Sequence, residues 1–238
     1  MIELRHRKVK AIGFDVGQTL IDYSNPLNWS SLYRPAIIKM LNECNLAFSE
    51  IRIEEAISIL LKYNTRINYR EVEYSSNIIF NEIFDKWGED KSVMESSKAS
   101  FYSFFQASAK PFDDTEPMLR KLKEIGYKIG ILTDVAYGMD NKFSRLDIQS
   151  IEKYIDVYLS SIDVGYRKPN SKGFIDLSIA LGVQTIDMIF IGDEEKDIKG
   201  ANQVGMKSVL INRTDKFKDY GQQYTITSLT ELEKLLKV

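Results

Sequence analysis

The stretch MIFIGDEEKDIKGANQVGMKSVLIN, residues 188–212, constrains this chain more than any other. Met188 to Gly192 is a short apolar run ending in glycine, and Ser208 to Ile211 is a second apolar run. Between them, Lys196 to Val204 carries apolar residues three and four apart. Continuous apolar runs of this length read as strands buried on both faces, and the period between them reads as a helix lying along a sheet. Two strands joined by such a helix run parallel, through a right-handed crossover.

The alternation recurs along the chain. Val9 to Asp15, Ile129 to Thr133 and Ile155 to Leu159 read as further buried strands, and Glu116 to Ile125, Ser171 to Leu181 and Leu229 to Leu236 as amphipathic helices. The expected class is α/β, with a Rossmann-like, mostly parallel sheet as the core. The interval from about Asp22 to Gln106 behaves differently: it has helical periodicity, as at Ile53, Ala56, Ile57, Leu60 and Leu61, and no strand pattern. We expect an inserted α-helical cap domain at 22–107, with residues 1–21 and 108–238 forming the core. Pro111 marks the return, and Pro117 falls in the first turn of the next helix, where a missing amide is tolerated.

Composition narrows the partners. A net charge of −2 gives no broad attraction to nucleic acid or to an anionic membrane, so neither is expected. The basic start, Arg5, His6, Arg7, Lys8 and Lys10, reads as solvated surface. No apolar run reaches the roughly 18–20 residues that span a bilayer. The start carries no signal-peptide pattern, and the single cysteine, Cys44, has no internal partner and reads as a packing residue, so a cytoplasmic location is expected. His6 is the only histidine, which leaves little material for a histidine-rich zinc site or a histidine-based triad.

Ligands of open parallel sheets bind beyond the carboxyl ends of the strands. Here those ends carry Asp15 in FDVGQTL, then Thr133 and Asp134, then Lys168 before Pro169, then Asp193 and Asp197 in GDEEKD. Each has an ordinary explanation by itself: aspartates cap helices, acids favour first turns, and lysines before proline sit in turns. The ordered set resembles the four motifs of the haloacid dehalogenase-like hydrolases, in the subgroup with a helical cap. Those motifs are an aspartate with Thr four residues on, a Ser or Thr after the second strand, a Lys before Pro, and Gly-Asp followed by another Asp. The resemblance spans essentially the whole core.

The resemblance implies that Asp15 is a nucleophile attacking a small phosphorylated molecule. Mg²⁺ would be held by Asp15, Asp193 and the backbone carbonyl of Gly17. Thr133, Lys168 and loop amides after Asp15 would hold the phosphoryl oxygens. Asp134 would stand behind these groups, as would Asp197, orienting Lys168 or a metal-bound water. Such cations meet a physical need, because a carboxylate facing one phosphate charge at 4 Å is repelled by roughly 4 kcal/mol in a surface-like dielectric. A cap in this position would shield the intermediate and select the substrate. Trp29, Tyr33, Tyr63, Tyr69 and Tyr74 would then supply either a pocket lining or the core of the cap. Periodicity assigns no oligomeric state.

Gly17 departs from the pattern. Phosphatases of this family carry a second aspartate there, which protonates the leaving alkoxide and later activates water. Loss of such an acid and base slows a reaction by ~10²–10⁴. Three readings follow. One is a phosphatase that is slow or borrows an acid from Asp22, Asp134 or the insertion. The second is a C–halogen or C–P hydrolase, with Arg34 or Lys62 supplying the corresponding cation; the metal-type acids argue against the halide branch, which needs no metal. The third is a non-catalytic phosphate-binding or regulatory module, which would have no need for a nucleophile.

Overall fold

The structure, a computed structural model, describes residues 9–214 and 216–237. Arg5, His6, Arg7 and Lys8 lie outside the described residues. The chain begins with β1 (Ala11–Phe14) and the two-residue strand β2 (Ile21–Asp22). Four helices follow: α1 (Tyr33–Glu43), α2 (Glu50–Tyr63), α3 (Ser76–Trp87) and α4 (Met94–Gln106). After β3 (Lys110–Pro111) come α5 (Thr115–Glu124), β4 (Lys128–Thr133) and the short α6 (Asn141–Ser144). Next are β5 (Val157–Ser160), α7 (Ser161–Val164), α8 (Ser171–Ala180), β6 (Met188–Gly192) and α9 (Glu195–Gln203). The chain closes with β7 (Lys207–Ile211), β8 (Tyr224–Ile226) and α10 (Leu232–Leu236).

Among the described residues, six strands form one sheet in the order β5-β4-β1-β6-β7-β8, and every pairing in it is parallel. The chain first builds outward from β1 through β4 and β5, then returns to the other side of β1 for the remaining strands. The strand order therefore reverses at β1, the place where open parallel sheets bind their ligands. All residues of β1 and β6 are buried, which is why their sequences are continuously apolar instead of alternating. Phe174 of α8 packs edge-on against Phe190 of β6, with ring centres 4.8 Å apart, inside a core that includes Leu132, Leu177 and Met188. β8 has no counterpart among the expected strands: at three residues, on the sheet edge, with a threonine in its middle, it carries no periodic signal.

Contacts divide the chain into two compact units. One holds the described residues up to Asp22, Pro111–Asp134 and those from Ile148 on; the other holds Tyr23–Lys110 and Val135–Asp147. The second unit is helical, and Trp29 stacks on Phe105 within it at 3.7 Å. Of the aromatics singled out above, Tyr33 and Tyr63 are buried in this unit, whereas Tyr69 and Tyr74 are exposed.

Val135–Asp147 falls in the stretch expected in the core, yet it packs with the helices. Tyr102 donates from its hydroxyl to the Tyr137 carbonyl at 3.0 Å, Ser76 to Asp140 at 2.9 Å, and Gln106 to the Phe143 carbonyl at 2.8 Å. Gly138 has φ +60°, and a β-carbon there would stand 2.0 Å from the Tyr74 carbonyl oxygen, so only glycine lets these backbones meet. Among the described residues, no helix is long and apolar enough to cross a membrane.

Candidate active site

Asp15 follows the last residue of β1, and its amide donates to the Ile191 carbonyl of β6 at 2.9 Å, so the neighbouring strand fixes its backbone. The chain then turns tightly. The Val16 carbonyl accepts from the amides of Thr19 (3.3 Å), Leu20 (2.9 Å) and Ile21 (3.0 Å), while Gln18, with φ +57°, donates to Ile21 at 2.8 Å. Of the loop amides expected to serve a phosphoryl group, those of residues 18–21 are thus committed inside the turn. Val16 and Gly17 are left for that task. Arg213 braces the turn from behind, donating to the Thr19 carbonyl at 3.0 Å and to both Asp114 oxygens at 2.9 and 3.0 Å.

Thr133 ends β4 beside β1, buried, with 8% of its surface exposed. Lys168 is buried too, and its ammonium lies 2.6 Å from Asp15 Oδ1 and 2.6 Å from Asp197 Oδ1. Burial alone would lower its pKa, but Asp15, Asp197 and Asp134 outweigh that and raise it, so the lysine stays charged. The other Asp197 oxygen accepts the Glu194 amide at 3.0 Å and closes a capping box at the start of α9. Gly192 makes this possible, since a β-carbon there would sit 2.4 Å from Asp197 Cβ.

Asp193 completes the cluster. One oxygen from each of Asp15, Asp193 and Asp197 lies within 4.8 Å of the others. Burial first, and then the charges of Asp15 and Asp197, push Asp193 up to about 8. Asp197 is raised as well, chiefly by burial. Fully ionised, the three acids would carry more negative charge than the single Lys168 neutralises, and the donors are all oxygens. That combination fits a hard divalent cation.

The shift has a measurable consequence. A carboxyl with a folded pKa near 8 and an unfolded value of 3.8 holds an extra proton in the native chain between those limits. Unfolding releases the proton, so Asp193 makes stability fall as pH rises through that window. In chelator, the Asp193→Asn chain is expected to gain thermal stability relative to the native chain with rising pH. Parallel melting curves would contradict the shift.

Sequence reasoning did not find the surroundings of Asp134. This side chain is buried and takes Lys196 Nζ at 3.0 Å and Arg167 at 3.8 Å on one oxygen, and the Lys168 amide at 3.0 Å on the other. Burial would raise its pKa, but Lys196, Arg167 and Lys168 hold it well below the usual carboxylate range. Asp134 therefore cannot be the substitute proton donor considered above. Lys218, also unforeseen, donates to the Asp193 carbonyl at 3.3 Å.

Glu194 pairs with Lys196 at 2.9 Å and Glu195 with Lys199 at 2.7 Å. In the helical unit, Arg34 pairs with Glu50 and Glu54, and Lys62 with Glu82 at 2.8 Å. Hydrogen bonding to Glu82 raises the Lys62 pKa, whereas an imine-forming lysine needs the reverse. Asp22, at the end of β2, is half-buried, and so is Cys44, whose thiol lies 3.7 Å from Ser96 Oγ.

Residues 46–211 match the haloacid dehalogenase-like hydrolase family, and the chain belongs to it. The matched span begins after Asp15, but similarity to individual relatives runs further. A glyceraldehyde 3-phosphate phosphatase of Methanopyrus kandleri is 30% identical over 222 residues, covering 89% of this chain and 87% of the relative. An (S)-2-haloacid dehalogenase 4A of Burkholderia cepacia is 27% identical over 202 residues, covering 76% of this chain and 82% of the relative. Among solved structures, an HAD phosphatase from Thermococcus onnurineus superposes with a TM-score of 0.65 at 27% identity, covering 95% of this chain and 97% of that one.

Proposed function

We propose that this chain is a magnesium-dependent phosphatase of a small phosphomonoester, acting through an aspartyl-phosphate on Asp15. The observation that carries this reading is the pairing of Lys168 with both Asp15 and Asp197 at 2.6 Å, beside a third carboxylate, Asp193. A dehalogenase has no use for that surplus of acid, because its halide leaves without metal or proton.

Asp15, Asp193 and the Gly17 carbonyl would hold Mg²⁺, which supplies charge neutralisation for an incoming phosphate when bound. Lys168 occupies Asp15 Oδ1 and stays positive beside it, lowering the repulsion that the phosphate dianion meets. Thr133 donates its hydroxyl to a phosphoryl oxygen, and the amides of Val16 and Gly17 would add two donors. An Asp15 oxygen bonds to phosphorus as the ester P–O bond breaks, and the departing oxygen takes its proton from water. A second water attacks phosphorus, releasing inorganic phosphate and restoring Asp15. Asp197 keeps the Lys168 ammonium in line, and the helical unit, Tyr23–Lys110 with Val135–Asp147, would serve as the cap that selects the substrate.

The test is phosphate release from a panel of aryl and small-metabolite phosphates, with Mg²⁺ or chelator. Glyceraldehyde 3-phosphate, the compound in the Methanopyrus relative's name, heads the panel. Release that needs Mg²⁺ and disappears in Asp15→Asn is expected. Release that persists in Asp15→Asn would remove Asp15 from the chemistry, and no release from any ester would favour the dehalogenase, phosphonate or non-catalytic readings.

A further inference from the structure

We propose that Lys196 is a positioning residue of this site: by holding the Asp134 carboxylate it fixes the Lys168 backbone, and so keeps the Lys168 ammonium in register with Asp15. The inference rests on the phosphatase reading for its kinetic test, but the geometry behind it is independent of that reading.

Asp134 is a junction of three strand-end loops. It follows β4; its Oδ1 accepts the Lys168 amide at 3.0 Å; its Oδ2 takes Lys196, from the first turn of α9, at 3.0 Å. Lys196 also reaches Glu194 Oε2 at 2.9 Å, and Glu194 is the residue that caps α9 with Asp197. The loop carrying Lys168 is thereby tied to the end of β4 and to the start of α9, the element that supplies the second partner of the Lys168 ammonium. An ammonium has three protons, and two of those on Lys196 are spent on carboxylates. That leaves the lysine better suited to hold protein than to hold substrate.

Without Lys196, the Asp134 carboxylate, whose side chain is 5% exposed, keeps Arg167, at 3.8 Å, as its one side-chain cation against Oδ2 among the described residues. A buried carboxylate stripped of its main partner pulls away from its position or draws in water. Either change loosens the Lys168 amide. Misplacement of a reacting group by about 1 Å slows catalysis by about 100-fold. Lys196→Met is therefore expected to lower kcat by ~10–100-fold with KM nearly unchanged, the pattern of a lost transition-state interaction. Lys196→Arg should recover most of the rate.

The experiment compares p-nitrophenyl phosphate hydrolysis in the native chain, Lys196→Met, Lys196→Arg, Asp134→Asn and the Lys196→Met/Asp134→Asn double variant. Amide hydrogen exchange at Lys168 is followed in each, and Asp15→Asn is run alongside. If Lys196 acts through Asp134, its removal adds little once Asp134 is Asn, and Lys168 exchanges faster in Lys196→Met than in the native chain. If the two kinetic effects multiply, or if KM rises while kcat holds, Lys196 acts elsewhere and the proposal falls. Should Lys196→Met not fold, Lys196→Gln takes its place in the same cycle. Hydrolysis that survives Asp15→Asn would sink the aspartyl-phosphate mechanism on Asp15 alone, because Lys168 exchange decides the positioning role whether or not an ester is turned over.

Discussion

Lys168→Met is expected to remove nearly all hydrolysis and about 3–5 kcal/mol of stability, the penalty for breaking a buried ion pair by deleting one partner. Lys168 is 3% exposed, and its ammonium faces two carboxylates at 2.6 Å each. Its ring-facing contact, 5.8 Å from the centre of Phe190, shows how apolar the surroundings are. With the cation gone, Asp15, Asp193 and Asp197 remain within 4.8 Å of one another, and no water-like dielectric softens their repulsion. Relief comes only by protonation, so the loss should grow as pH rises. Loss of a preorganised charge in such a site lowers kcat by ~10²–10³. Urea unfolding in chelator reads the first effect and phosphate release the second. A destabilisation below about 1 kcal/mol would mean that the pair behaves as an exposed one.

Gly17→Asp has the largest expected gain. Without an acid at this position, esters must leave as poorly protonated alkoxides, so aryl phosphates should react far faster than alkyl phosphates. Without a base, the water that opens the aspartyl-phosphate is not activated, so with a good leaving group the second step should limit turnover. The native chain is then expected to show a burst of aryl alcohol followed by a slower steady state. An aspartate at residue 17 should shrink the aryl-to-alkyl gap and remove the burst, with a rate gain of up to ~10²–10⁴ for alkyl esters. Stopped-flow release of p-nitrophenol and parallel phosphate assays check both. An unchanged gap in a folded, Mg²⁺-binding Gly17→Asp chain would show that another group already does this work.

The core was legible because its physics is repetitive. A strand buried on both faces must be apolar throughout, as β1 and β6 are, and a helix on a sheet must repeat near 3.6 residues. Asp15, Thr133 and Asp193 stand out at the ends of such strands, whereas Lys168 and Asp197 lie further along the chain, and the expected roles of all five came from the resemblance of the ordered set to a known family. What escaped lies where contacts are long-range and aperiodic. Val135–Asp147 joins the helical unit through single hydrogen bonds and one glycine that no period announces. Asp134 looked like a spare acid, and only the approach of Lys196 and Arg167 reveals a fixed anion. The turn after Asp15 spends four amides on itself, a detail of backbone path that residue types do not encode. Tyr33 and Tyr69 look alike in sequence, yet one is wholly buried and the other 70% exposed.

Asp15 is the proposed atom donor to phosphorus, and the missing base offers a way to see it at work. Because breakdown of the intermediate is expected to be slow, acid quenching of the native chain during turnover of an aryl phosphate with Mg²⁺ should trap it. Peptide mass spectrometry is expected to find the Asp15 peptide heavier by one phosphoryl group, with the modification absent in Asp15→Asn. Steady phosphate release with that peptide never modified, and with Asp15→Asn equally active, would contradict the account.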